Sequence, residues 1–468
     1  MIIAEPAHFI KSFIDDLNKA IKTLKSSAGL TRAQIAWLGF CLMGILLVNS
    51  VCWAKFERAS LGGYKLNRLS WMFRQSKISW SLLFIASVQH VLNQHGITEG
   101  VLVIDETDRS RAKRTKRIHK TYKQKDKKTG GYVNGQTIVL LLLVTNSISI
   151  PVGFSFYMPD PALKTWKKND DKLKKEGVSK KDRPVKPERN PNYPTKVQIA
   201  LSLLQEFSEN HDDINIQAIL ADALYGENKF MKKASKIFSG IQVISQLRKN
   251  QNIWDRGTKK KLDHYFNVIN KGVSQRICIR GGEMITVTAS SARLKVDAHG
   301  IKRFVIALKY ENEDDYRYLV ATDMSWRTTD IIQAYSLRWL VEVFFSDWKL
   351  NEGWGREAKQ YGEEGSSRGL ILSLLLDHCL LLHPEQKTRI ENKLPACTVG
   401  SLQRLAQMDA LLEFITSLLE HKNPGEELKK LGVMIKEVFQ LIPSGKHMSG
   451  RDLGRLEPTP SLNHRAMN

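Results

Sequence analysis

Cysteine is scarce in this 468-residue chain, with five residues at positions 41, 52, 278, 379 and 397. Only Cys41 and Cys52 lie close together. That excludes a disulfide scaffold, and without a CxxC or HExxH spacing the common zinc sites are excluded too. The twelve His show no paired metal spacing either. Acids are also in short supply: 48 Asp and Glu stand against 71 Lys and Arg, for a net charge of +23 and a pI near 9.7. Such a surface collects polyanions, nucleic acid foremost, because phosphates release their counterions on contact. No internal repeat is visible. The first sixteen residues carry Glu5, Asp15 and Asp16 and lack an apolar h-region, so no signal peptide is expected.

Long hydrophobic runs are also few. Residues 36–54 form an uncharged stretch of 19, long enough to cross a bilayer. Asn49 and Ser50 interrupt it, two Gly soften it, no second span accompanies it, and the chain is basic on both sides. It reads as a buried helix; a membrane-anchored basic protein is the rival reading. What is present is a 42% hydrophobic chain with 10 Trp. This is enough for two to four domains with true cores in a reducing cytoplasm.

Residues 1–95 read as helical, with Thr31 a candidate N-cap and basic, aromatic edges at 65–76 that suit a DNA-end-binding region. From Gly100 the texture changes. Val101-Leu102-Val103-Ile104-Asp105 is a short buried strand ending in an acid, and 135–145, 147–157, 214–220 and 241–247 read as further strands of a sheet covered on both faces. Residues 109–128 hold eleven Lys and Arg against one acid, Asp126, and 164–196 form a second charged loop. A helical stretch begins near Lys196 and another near Glu227. Period-two alternation across 250–325 predicts a separate antiparallel β unit. One long helix is expected from about 329 to 349, then helices at 366–382, 399–419 and 426–440 and a polar tail.

Asp105 at the end of the first strand and Asp222 just past the fourth project toward the carboxyl edge of an α/β sheet, where ligands gather. Two carboxylates there call for a divalent cation. On the expected helix, Tyr335, Arg338, Glu342 and Lys349 fall within an arc of about 60°, while Leu337, Leu340, Val341, Phe344 and Trp348 occupy another. Asp347 lies away from that polar arc, so Glu342 is the third acid. The blander readings are a turn-capping Asp105, an N-capping Asp222 and a Glu342 paired with Arg338 inside the helix.

The spacing Tyr335-x2-Arg338-x3-Glu342-x6-Lys349, with Val103-Ile104-Asp105 and Asp222-x2-Tyr225 upstream, resembles the Y-R-E-K signature of family-four bacterial insertion-sequence transposases of the DDE superfamily. The acids stand 117 and 120 residues apart, and the longer second gap resembles members with a β-strand insertion. The resemblance spans roughly residues 100–385. It implies an RNase H-like core with a mixed five-stranded sheet, interrupted by an antiparallel β insertion, plus helical N- and C-terminal regions. The units are then 1–95, 96–249 and 326–385 as the two parts of the catalytic core, 250–325 as the insertion, and 386–468 as a helical, dimer-forming region.

The resemblance further implies that Asp105, Asp222 and Glu342 hold two Mg²⁺ ions, with Mn²⁺ an accepted substitute, for in-line phosphoryl transfer. Arg338 and Lys349 would grip phosphates, Tyr335 would contact the backbone, and Arg248 is a further DNA contact. Either Trp254 or Trp326 would stack on a flipped base. The partners are the element's terminal inverted repeats, target DNA and a second copy of the chain, with no membrane; the protein would be cytoplasmic and nucleoid-associated when bound to DNA. A nuclease that cuts without joining and an inactive DNA-binding repressor are the alternatives.

Overall fold

The structure, a computed structural model, describes residues 5–111, 117–125, 130–279, 282–355 and 360–440. The expected polar tail beyond 440 and part of the basic stretch 109–128 lie outside the described residues. The chain opens with five helices: α1 (His8–Leu24), α2 (Arg32–Val48), α3 (Trp53–Ala59), α4 (Leu66–Gln75) and α5 (Trp80–Gln94). Thr31 caps α2 in a reciprocal box with Gln34. The apolar run is core: every residue from Trp37 to Leu47 is buried. Asn49, at φ 49°, ends the helix in the left-handed region, and the chain bends by 87° into α3. Among the described residues no single helix is long and apolar enough to cross a membrane. Trp37 packs edge-on or tilted against Trp53, Phe73 and Trp80, tying α2, α3, α4 and α5 together.

The central sheet follows. Its strands are β1 (Glu99–Ser110), β2 (Tyr122–Lys125), β3 (Tyr132–Val144) and β4 (Ser149–Tyr157). After α6 (Pro161–Lys175) and α7 (Lys196–Asn210) come β5 (Asn215–Ala221), α8 (Asn228–Ile237) and β6 (Gln242–Leu247). The order is β4-β3-β1-β5-β6, with β1–β3 and β3–β4 antiparallel and β1–β5 and β5–β6 parallel. This mixed five-stranded arrangement is RNase H-like. Residues 135–144 of β3 are all buried, which is why they read as an unbroken apolar run.

Four expectations need correcting. The charged segment 164–196 is not all loop: α6 forms, because Asp160 caps it through the amides of Ala162 and Leu163 and Pro161 stands in its first turn. The basic stretch after Asp105 includes strand, since β1 runs on to Ser110 and β2 pairs with β3. The β unit is not separate. Strands β7 (Asn252–Asp255), β8 (Thr258–Lys261), β9 (Val273–Cys278), β10 (Met284–Val296), β11 (Ile301–Tyr310) and β12 (Arg317–Ala321), with the single turn α9 (Leu262–His264), continue the core sheet. β12 pairs antiparallel with β6, so unsatisfied strand edges on both sides meet in one ladder.

The last correction bears on the site. The helix expected over 329–349 is two: α10 (Thr328–Ser336) and α11 (Trp339–Leu350). Between them the amides of Leu337, Arg338, Leu340 and Val341 each reach back three residues rather than four, which tightens the turn. Trp348 anchors α11: it is fully buried, stacks on Trp354, and donates its indole N–H to Ser373 Oγ at 2.8 Å on α12 (Gly362–Leu381). The chain closes with α13 (Pro384–Glu391), α14 (Val399–Leu419) and α15 (Pro424–Val438).

Candidate active site

The parallel register of β1 and β5 ends with Ile104 opposite Ala221. Asp105 is the next residue on β1 and Asp222 the first beyond β5, so about one strand spacing, ~4.8 Å, separates their backbones where β5 ends beside the continuing β1. Residues 100–105 of β1 and 218–221 of β5 are buried without a break, as in a sheet covered on both faces. Past Asp222 the chain makes a tight turn: Asp222 Oδ1 accepts the Leu224 amide at 2.8 Å, and Ser245 Oγ donates to the Asp222 carbonyl at 2.6 Å. Gly226 completes the turn against β6. A Cβ there would stand 2.2 Å from the Gln246 carbonyl oxygen, so no side chain fits. The capping behaviour weighed for Asp222 is present, and it engages Oδ1.

Arg338 sits in the tightened turn and donates Nη1 to Asp105 Oδ2 at 2.5 Å. Glu342 follows one turn later, exposed in the first turn of α11. Lys349 reaches back to Thr107 Oγ1 on β1. Tyr335 behaves differently from expectation. It is buried, and its hydroxyl donates to the Ala221 carbonyl at 3.2 Å, so it pins α10 to β5 rather than facing DNA. Asp347 lies on another side, bonded by Asn351 Nδ2 at 3.2 Å.

Burial pushes the Asp105 carboxyl up to about 7, with the charges of Asp222 and Glu342 adding to the rise. The Arg338 guanidinium and the Glu106 amide pull the other way. Asp222 is raised as well, first by burial and then by the charge of Glu106, with the Leu224 amide, Arg338 and Lys196 opposing. Arg338 in turn feels all three acids. Among the described residues no three acid, His or Cys side chains are already closed on one point as a metal cage. The donor set nonetheless fits a hard divalent cation: three carboxylates within electrostatic reach of one another, two beside the point where β5 ends against β1 and one on the exposed Glu342.

Sequence reasoning missed the neighbour of Asp105. Alternation sends Glu106 to the opposite face, where its carboxylate accepts Lys196 Nζ at 2.5 Å and the buried Tyr225 hydroxyl at 3.1 Å. These bonds tie the start of α7 and the turn after Asp222 to the catalytic strand. The signal was there in the period-two pattern, but no partner for Glu106 could be read from it. Arg248 is exposed just past β6, on the edge that carries the acids. Trp254 is remote: β7 lies four strands beyond β6, its indole N–H donates to Asp297 at 2.8 Å, and Lys295 sits over its ring. Trp326 is partly buried between β12 and α10.

A family model for DDE superfamily endonucleases matches residues 30–264, and a second, for the transposase DDE domain, matches residues 189–376. The first spans Asp105 and Asp222, the second Asp222 and Glu342. No curated protein matches the chain.

Proposed function

Since the chain belongs to the DDE superfamily, as a metal-dependent DNA-cleaving transposase, we propose that it serves a bacterial insertion sequence of the Y-R-E-K, family-four type. It binds terminal inverted repeats, cuts to expose 3′-OH ends and joins them to target DNA. Asp105, Asp222 and Glu342 are the proposed carboxylates. The observation that carries this is the placement of Asp105 and Asp222 directly after the last parallel pair of β1 and β5, Ile104 with Ala221, with Arg338 bonded to the first and Glu342 one turn further on.

Two Mg²⁺ ions, or Mn²⁺ in their place, would supply activation of the attacking oxygen and neutralisation of the leaving one. The chain's own groups do the rest. Asp105 and Asp222 set a fixed pair of oxygen ligands, because the strand ladder and the Ser245 bond hold their backbones. Glu342 brings the third by rotation about its side-chain torsions. The Arg338 fork has five N–H donors, of which one bonds Asp105, so others remain to orient a phosphate. Lys349, held near Thr107, adds a point charge beside the scissile position. Arg248 extends the basic edge, and Trp326 is the better placed of the two Trp for a splayed base, given how far Trp254 lies from the acids.

Synapsis of two ends calls for two copies. α14 carries Leu405, Met408, Leu412, Ile415 and Leu419 exposed at alternating steps of three and four, the spacing of a helix seam. A homodimer through this stripe follows. The test is incubation of the purified chain with Mg²⁺ and DNA carrying the element's ends, repeated with Glu342→Gln. Cleavage and joining, both lost in the variant while end binding persists, are expected. Cleavage without joining would favour a nuclease, and binding alone a repressor.

A further inference from the structure

Helix α8 starts six residues after Asp222 and has four lysines and no acid in ten residues. Phe230, Met231 and Ala234 face the core, while Lys229, Lys232, Lys233 and Lys236 are all exposed. Lys229 with Lys232 and Lys233, and Lys236 with the same two, are three or four residues apart, so the four share one side of the helix as a ridge over about 10 Å. Among the described residues no carboxylate pairs with any of them. The ridge borders a cleft of about 670 Å³ lined by Glu106, Tyr157, Arg189, Lys196, Lys229 and Lys233. Lys196 joins that cleft to the catalytic strand through its 2.5 Å bond to Glu106.

The ridge is held rigidly at its origin. Asn228 donates to the His299 carbonyl at 3.0 Å and accepts from Arg303 Nη2 at 2.6 Å, and the His299 ring meets the Gly226 carbonyl at 2.8 Å. His299 and Arg303 are both buried. The polar groups of α8 that could read base edges are therefore already engaged: Asn228 in this network, and Ser235, whose hydroxyl donates to the Ile241 carbonyl at 2.7 Å. What faces outward is ammonium charge alone. Ammonium groups are point charges that neutralise phosphates, and contacts to phosphate carry no sequence information.

A joining reaction brings together two DNAs, one recognised by sequence and one of arbitrary sequence. We propose that the α8 ridge and its cleft seat the second, the target duplex, through phosphate contacts only. This rests on the joining activity proposed above. A 10 Å ridge covers about three phosphates of one strand at ~3.4 Å each along the axis.

The test replaces Lys229, Lys232, Lys233 and Lys236 with Gln in the full chain, keeping the apolar stems, and compares a Lys→Arg version that retains the charge. Binding to a random-sequence duplex is followed against salt, and cutting of element ends is assayed separately from joining of pre-cut ends to a random plasmid. The Gln variant should lower the log–log salt slope by about three, since each contact contributes ~0.9. It should join at least ten times more slowly and cut within twofold of the parent, and the Arg version should restore both the slope and the joining rate. An unchanged slope overturns the proposal, as does cutting that falls in step with joining, which would assign the ridge to the element ends. Should the parent chain cut but never join, the joining activity fails by itself, and the slope on random duplex still decides whether the ridge seats DNA of arbitrary sequence.

Discussion

Cation binding at the three acids should depend steeply on pH, and the structure sets the scale. Asp105 titrates at about 7 rather than at the usual 3.8, chiefly because it is buried. The folded chain therefore keeps a proton between about pH 4 and 7 that the unfolded chain releases, so stability without added cation falls as pH rises through that window. A divalent cation needs the ionised form. At pH 8 that form makes up about 90% of the population and at pH 5 about 1%, so this one group weakens binding about 90-fold on acidification, or ~2.7 kcal/mol. Calorimetric titration of Mn²⁺ into the parent chain at both pH values measures it directly, with Asp105→Asn as the control that removes the dependence. An affinity that changes less than threefold between pH 5 and 8, or an Asn variant that binds as the parent does, would refute the reasoning.

Other changes report on neighbouring parts of the site. Arg338→Ala strips Asp105 of its nearest positive charge, so single-turnover cleavage should drop by roughly 10²–10³ and its pH midpoint should move up, with Arg338→Lys recovering only part because one ammonium cannot bridge carboxylate and phosphate. Gly226→Ala forces a Cβ into a backbone oxygen; it should cost about 1–3 kcal/mol in urea unfolding and disable cutting, and an unaffected unfolding midpoint would contradict the packing described. Leu412→Glu with Ile415→Glu should leave the circular dichroism unchanged while sedimentation shows the species shifting to monomer; a parent chain that is already monomeric in the presence of end DNA would remove the proposed dimer.

Much of this was legible because strand and register carry their own pattern. The apolar runs before Asp105 and Asp222 are buried, and the last parallel pair of their strands is Ile104 with Ala221. Counting at 3.6 residues per turn put Glu342, the proposed third acid, on one long helix with Tyr335, Arg338 and Lys349, but the count crosses a turn that tightens at Arg338 and divides that helix in two. Tyr335 is buried on the first of the two, its hydroxyl on the Ala221 carbonyl. Pairing across distance was not legible. Nothing in the sequence joins Lys196, at the start of a helical stretch, to Glu106, and only the folded chain brings them to 2.5 Å. Glu352 and Asp377 gave no sign that they would be buried together, where desolvation pushes both carboxyls up, Asp377 to about 8, with the charge of Asp347 adding to each rise and Glu352 holding Asp377 back. Nor could alternation alone say that the strands after Gln251 would continue the catalytic sheet.

Because Ile244 through Leu247 are laddered to Tyr318 through Ala321, the inserted strands cannot swing as a flap without stripping peptide hydrogen bonds from buried backbone. Whatever the far strands hold is kept at a constant span from Asp222, set by the number of intervening strands. The inserted half acts as a ruler, and evolution can reset its measure by adding or deleting strands but not by loosening a joint.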